Sequence, residues 1–305
     1  MNKRLLLVFG IIIIGLLAIS ILAGNKNLSN NNGRIQVTAS FYPMYFFATQ
    51  IAGNKADVYS ITPASAEPHD YEPSAQDIAR IQNSRMLILN GGALEAWGNK
   101  IKDDLSDKNV LVVTAGEGLA DRQIEEEGKT IQDPHVWLDP ILAKEEVGKI
   151  EKGFEKIDPA NSLYYQTNAG VLDSKLDQLD QEYKQRLTSC SKTDFVTSHA
   201  AFGYLGREFG INQVAISGVS PDEEPSTQKL AEVSDLVKKE NIKVIFFESL
   251  VSPKLSQTIA NETGAKAMVL DPIEGITQED AAKGATYLTV MQNNLHNLRI
   301  ALECK

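Results

Sequence analysis

Histidine is scarce in this chain, with four among 305 residues, and three of the four sit in patterned surroundings. His69 follows Pro68, His135 follows Pro134, and His199 stands in the run Thr197-Ser198-His199-Ala200. Proline ahead of His69 and His135 restricts the local backbone, as a rigid ligand position requires. Imidazole nitrogen suits Zn²⁺ at about 2.0–2.1 Å. The histidines are 66 and 64 residues apart, and Asp271, in Leu270-Asp271-Pro272, follows 72 residues later. Three imidazoles with one carboxylate would make a four-coordinate centre of net charge +1. Asp271 is the favoured carboxylate. Glu248 is the alternative, either as the ligand or as the acceptor of an imidazole N–H. His296, inside Asn294-Leu295-His296-Asn297, has no such context and reads as an ordinary surface residue. No two of the three histidines lie within one helical turn, so no compact zinc motif is present. Cys190 and Cys304 form no CxxC pair, which excludes a cysteine zinc site.

Ligands this far apart must be assembled by the fold. Short, continuously apolar or β-rich runs at residues 35–41, 56–61, 85–90 and 110–114 read as strands, separated by helical stretches at 45–52, 74–83 and 94–106. After residue 190 the alternation resumes, with strands at 194–198, 212–217, 244–247 and 267–270. Helices are expected at 200–209, 227–241, 253–263 and from about 278 to 304. Such alternation indicates parallel sheets covered on both faces. Between the two sets lies the most regular segment, opened by Asp158-Pro159, with Leu163, Ala169, Leu172, Leu176, Leu179, Tyr183 and Leu187 recurring mostly at steps of three and four. It predicts one helix of about 45 Å acting as a strut. The expected fold is therefore α/β, with two Rossmann-like lobes, residues 35–157 and 190–305, joined by a connecting helix over 158–189. Residues 115–132, with Gly116, Gly118 and Glu125-Glu126-Glu127, read as an exposed, mobile loop. His199, Glu248 and Asp271 each follow a strand directly, where open parallel sheets bind ligands.

Net charge is −10 without basic clusters, which argues against nucleic acid or an anionic membrane as partner. Lys3 and Arg4 precede an uncharged run over residues 5–23, long enough to span a bilayer, so residues 1–23 read as a signal peptide or an uncleaved anchor. Either delivers the remainder outside the membrane. Asn25 stands where a lipoprotein signal requires cysteine, and no lipid anchor is expected there. Residues 24–34, with five asparagines and two glycines, read as a linker. Outside the cell a Cys190–Cys304 disulfide is permitted, and the spacing does not decide it.

Five motifs in order carry a resemblance. They are PHDYEPS at 68–74, DPHVWLDP at 133–140, SHAAFGY at 198–204, ISGVSPDEEPS at 216–226 and LDP at 270–272. Over about residues 35–300 the chain resembles the metal-binding solute receptors of ABC importers, the zinc uptake A-component family. The resemblance implies two α/β lobes joined by one long helix, with a metal in the cleft held by His69, His135, His199 and Asp271. Asp133 and Asp139 then become turn and cap formers. It implies a non-catalytic, monomeric receptor that passes its ion to a membrane permease driven by an ATPase. Histidine at the third position, His199, implies zinc rather than manganese, and a nitrogen-rich, four-coordinate set agrees with that preference. Many zinc members carry a histidine-rich loop before the second ligand, whereas residues 115–132 here hold no histidine. The competing readings are a manganese receptor, an adhesin on the same fold, and an extracellular zinc hydrolase. The hydrolase would use three histidines, an open water position and Asp70 or Glu248 as base. Release of the ion is expected from a local shift of a ligand loop.

Overall fold

The computed structural model describes residues 33–305 except 106, 127 and 128. The apolar N-terminal segment, and the linker up to residue 32, lie outside the described residues. Ile35–Lys305 forms a compact unit of its own. Among the described residues no helix is long and apolar enough to cross a membrane.

The first sheet holds β1 (Ile35–Ala39), β2 (Ala56–Ser60), β3 (Met86–Leu89) and β4 (Leu111–Thr114), all parallel, in the order β2-β1-β3-β4. β3 is Met-Leu-Ile-Leu and buried throughout, as a strand covered on both faces must be. Its helices are α1 (Tyr42–Ala52), α2 (Ala75–Gln82) and α3 (Gly98–Asp104). A small antiparallel hairpin follows, β5 (Gln123–Glu126) with β6 (Lys129–Gln132), in which Ile124 pairs with Ile131. This corrects the expected loop over 115–132: the Gly116–Gly118 part is turn, but the second half is paired strand. No Asn-Gly or Asp-Gly marks its turn, so the usual hairpin signal was absent.

α4 (Pro140–Ile157) and α5 (Ser162–Leu187) then pack against each other. α4 is an additional helix beyond the pattern read from the sequence; Asp139 caps it, accepting the Ile141 N–H at 2.8 Å, and Pro140 occupies its first position. The strut itself begins later than Asp158-Pro159 suggested. A short 3₁₀ turn, Pro159–Asn161, precedes it, and the 26 residues of α5 span about 39 Å. Asp158 accepts the Tyr165 hydroxyl at 2.6 Å instead of capping a helix. Leu163 is 76% exposed and Tyr165 fully buried, so the stripe runs Tyr165, Ala169, Leu172, Leu176, Leu179, Tyr183, Leu187 without the irregular step that Leu163 imposed.

The second sheet repeats the plan with β7 (Asp194–Thr197), β8 (Asn212–Ala215), β9 (Val244–Phe247) and β10 (Lys266–Val269), parallel, in the order β10-β9-β7-β8. Its helices are α6 (Gly203–Phe209), α7 (Thr227–Lys239), α8 (Lys254–Thr263), α9 (Gln278–Ala282) and α10 (Tyr287–Ala301). The single terminal helix expected from residue 278 is thus two. Gly284, at φ +88°, sits in the break, and Thr286 opens α10 with a capping box.

One hydrophobic core runs through both halves, joining Phe41, Phe47, Trp137 and Phe154 to Tyr183, Phe195, Phe202 and Leu298 along the buried stripe of α5. A shared, close-packed core resists large swings between halves, which confines easy motion to loops. Cys190 and Cys304 are joined by a disulfide that ties the end of α5 to the chain terminus, closing 114 residues of sequence. The Lys192 N–H to Leu302 carbonyl bond (3.1 Å) lies beside it.

Candidate metal centre

Each cradle residue is held by its own neighbourhood. His69 lies between β2 and α2, where the Glu67 carboxylate accepts its backbone N–H at 3.2 Å. Downstream, the Ser74–Asp77 capping box and the Tyr71 hydroxyl, donating to Asp77 at 2.8 Å, secure the loop's exit. His135 opens a 3₁₀ turn, Val136–Leu138. One oxygen of Asp133 accepts both its backbone N–H (3.1 Å) and its Nδ1–H (2.9 Å). Asn90, at the end of β3, donates Nδ2–H to the Pro134 carbonyl at 3.0 Å, and Glu95 takes the Asn90 and Gly91 N–H groups at 2.8 and 2.7 Å. His199 leaves the end of β7; its carbonyl accepts from Thr197 Oγ1 and Gln213 Nε2, both at 2.8 Å. Glu248, at the end of β9, accepts from His199 Nδ1 at 2.7 Å and from the Ser198 hydroxyl.

The fourth member is Glu274, not Asp271. The structure gathers His69, His135, His199 and Glu274, with their donor atoms within 4.8 Å of one another. Asp271 stands outside this group: its Oδ1 accepts the Ile273 N–H at 2.7 Å, and burial pushes its carboxyl up to about 6. The reason is a turn. Ile273 adopts φ +61°, a conformation a β-branched residue rarely accepts, and this re-aims the chain so that the next side chain enters the cleft. The surroundings hold the turn in place. Trp137 Nε1 donates to the Pro272 carbonyl at 2.7 Å, and Asn294 clamps Asp271 through its N–H (2.9 Å) and carbonyl (2.7 Å). Gly275 suits the close quarters there, because a Cβ would lie 3.0 Å from Leu250 Cδ1 and 3.1 Å from the Ala64 carbonyl oxygen and would force them to give way. The run Asp271-Pro272-Ile273-Glu274-Gly275, an acid boxed by proline and glycine, was the signal that could have found Glu274.

The donor atoms form a tight polyhedron. His135 Nε2 lies 3.3 Å from His69 Nε2 and 3.3 Å from His199 Nε2. Glu274 Oε1 lies 3.3, 3.1 and 3.4 Å from the Nε2 atoms of His69, His135 and His199. A tetrahedron with zinc–ligand bonds of about 2.0–2.1 Å has edges of about 3.3 Å. His135, His199 and Glu274 are buried, and His69 nearly so.

The protonation pattern also favours a cation. With Nδ1–H donated to Asp133 and to Glu248, the Nε2 atoms of His135 and His199 turn lone pairs toward each other. Only a proton or a cation relieves that contact. Burial works against charging His135, yet Asp133 and Glu274 overcome it and raise its pKa. Burial opposes charging His199 too, and Glu248 and Glu274 hold its pKa well above the ordinary value. At His69 burial outweighs the Glu274 carboxylate, and the pKa is lowered. Burial would raise Glu274, but the three imidazoles hold it well below the carboxylate range. Glu67, desolvated and near Glu274, is pushed up to about 9. His296 is exposed on α10, away from the cradle.

Two parallel α/β sheets bridged by one long helix, with a three-histidine, one-glutamate cradle between them, define a two-lobed solute-binding fold. The family profile described as ZnuA, zinc-uptake complex component A, periplasmic, matches residues 37–301, and the chain belongs to that family. It is 38% identical over 295 residues to the high-affinity zinc uptake system protein ZnuA of Bacillus subtilis, covering 93% of this chain and 92% of that one. The crystal structure of the Zn(II)-bound ZnuA-like domain of Streptococcus pneumoniae AdcA is similar, with a TM-score of 0.78 and 38% identity, over 89% of this chain and 100% of that domain. The chain spans 57% of the full zinc-binding lipoprotein AdcA of that organism. The laminin-binding protein Lmb of Streptococcus agalactiae, described as a bifunctional protein with adhesin and metal transporting activity, superposes with a TM-score of 0.80 at 37% identity, over 88% of this chain and 99% of that one.

Proposed function

We propose that this chain is the extracytoplasmic receptor of a zinc importer, capturing Zn²⁺ through His69, His135, His199 and Glu274 and delivering it to a membrane permease driven by an ATPase. The observation that carries this reading is the convergence of four donors within 4.8 Å of one another, with five of their six separations between 3.1 and 3.4 Å. Those five match the edges of a tetrahedral zinc shell. Manganese fits less well, since it prefers more oxygen ligands than this set offers. A hydrolytic zinc keeps an open position for water, and four converging protein donors leave none. The relatives named for zinc uptake and zinc binding support the same cargo.

In this reading residues 35–157 and 190–305 are the two lobes, each supplying two ligands, and residues 158–189 are the strut. The N-terminal segment, residues 1–23, exports the chain or tethers it outside the membrane through the linker over 24–34. The receptor works as a monomer binding one ion. Competitive titration of the metal-free Ile35–Lys305 unit with Zn²⁺ and Mn²⁺ tests the proposal. One equivalent of zinc bound well ahead of manganese is expected, and preference for manganese would contradict it.

A further inference from the structure

Arg122 precedes β5, far in sequence from every cradle residue except His135. Its Nε lies 3.4 Å from Asp133 Oδ2, while the other oxygen of that carboxylate accepts from His135 Nδ1. One buried carboxylate therefore serves a guanidinium and a cradle imidazole together. The backbone is tied in as well, with the Asp133 N–H donating to the Arg122 carbonyl at 3.1 Å.

The same residue reaches the second lobe. The Arg122 N–H donates to the Tyr204 hydroxyl at 3.1 Å, and that hydroxyl donates onward to the Asp133 carbonyl at 3.0 Å. The guanidinium carbon stands 5.7 Å from the centre of the Tyr204 ring, and Arg207 covers the same ring at 5.1 Å while pairing with Asp121 at 2.8 and 2.9 Å. Gly203 and Tyr204 open α6, four and five residues after His199. Gly203 is shaped to admit Arg122, since a Cβ there would lie 2.6 Å from both Nε and Nη2. The Arg122 side chain is one-third exposed and lines a cavity of about 430 Å³, so it has room to leave.

We infer that Arg122 is a positioning residue for metal retention, latching the lobe that carries His135 to the helix that follows His199. While Arg122 is seated, Asp133 is neutralised and fixed, and His135 and His199 face one point. When Arg122 withdraws, Asp133 loses its counter-charge and Tyr204 keeps only Arg207 over its ring, and the two imidazoles are no longer held in register. The inference rests on the zinc-binding reading above and adds a control point to it. Partners of metal-bound histidines change metal affinity by about 10–100-fold when removed. For a latch the change falls on release, because affinity differences within one site reside mainly in the off-rate.

The test is the zinc dissociation rate of the Ile35–Lys305 unit, followed by transfer to a chromogenic chelator, for the native protein, Arg122→Gln, Arg122→Lys and Gly203→Ala. Arg122→Gln is expected to speed release about 10–100-fold, with Arg122→Lys intermediate. Gly203→Ala is expected to reproduce the Gln variant by displacing the guanidinium while leaving it in the chain. Melting temperatures of the metal-free proteins should stay within about 2 °C of native, as a purely structural role would not allow. Should Arg122→Gln not fold, Gly203→Ala alone decides. Native release rates in these variants, or faster release only in step with lost metal-free stability, would overturn the latch. A native chain that binds no zinc would overturn the metal-centre reading instead.

Discussion

Glu248 Oε1 lies 2.7 Å from His199 Nδ1, on the opposite edge of the ring from the cradle. The contact assigns the His199 tautomer, with Nδ1 protonated and Nε2 free to bind metal. Replacing Glu248 by Gln keeps the shape but removes the charge, and its amide can present the wrong group to Nδ1. Zinc affinity of Glu248→Gln is expected to fall about 10–100-fold in a chelator competition, with the stoichiometry still one.

Protons and zinc compete for the same nitrogen atoms, so zinc affinity should fall as pH falls. In the metal-free protein, His135 and His199 have pKa values raised above the ordinary 6.5 despite burial, through Asp133, Glu248 and Glu274. A histidine raised on folding contributes stability that is complete below its unfolded value, about 6.5, and is lost as pH rises through the folded value. Glu274 is lowered, so its share is complete above about 4.5 and lost as pH falls through its folded value. His69 is lowered and works against the acid side. The metal-free protein is therefore expected to lose melting temperature as pH rises above about 6.5, while the zinc-loaded protein gains over the same interval. Melting curves with and without zinc check the opposite slopes.

The Cys190–Cys304 bridge closes 114 residues of chain, and neither cysteine belongs to the cradle. Chain entropy alone sets a loop of that size at about 4.7 kcal/mol, and disulfides typically deliver about 2–4 kcal/mol. A Cys190→Ser/Cys304→Ser protein should melt about 5–10 °C lower and bind zinc with native affinity. Calorimetric melting together with the zinc titration checks both halves of that statement.

Much of this was legible in the chain, for identifiable reasons. Parallel sheets demand continuously apolar strands, so Met86–Leu89 and Val244–Phe247 announce themselves. His69, His135 and His199 stood out because each occupies a loop or strand end where a packed histidine has little reason to be. Asp271 was favoured because it follows a strand, and the sheet rule stops at the strand end. Glu274 lies three residues on, beyond a left-handed isoleucine that no local pattern foretells, since tertiary contacts from Trp137 and Asn294 hold it there. Leu163 entered the predicted helical stripe on hydrophobicity alone. The buried position went to Tyr165, whose hydroxyl finds Asp158. The start of α4 is written in Asp139-Pro140, a capping carboxylate followed by proline at the first helical position.

The central claim is the identity of the fourth ligand, and paired zinc titrations of Glu274→Gln and Asp271→Asn test it most directly. An amide at Glu274 removes the anionic donor from the cradle, whereas an amide at Asp271 can still accept the Ile273 N–H. Zinc affinity should fall by about two or more orders of magnitude in Glu274→Gln, as expected for loss of a charged partner in a buried site. It should stay within about threefold of native in Asp271→Asn, as for a site outside the cradle. Native affinity in Glu274→Gln, with collapse in Asp271→Asn, would contradict the account.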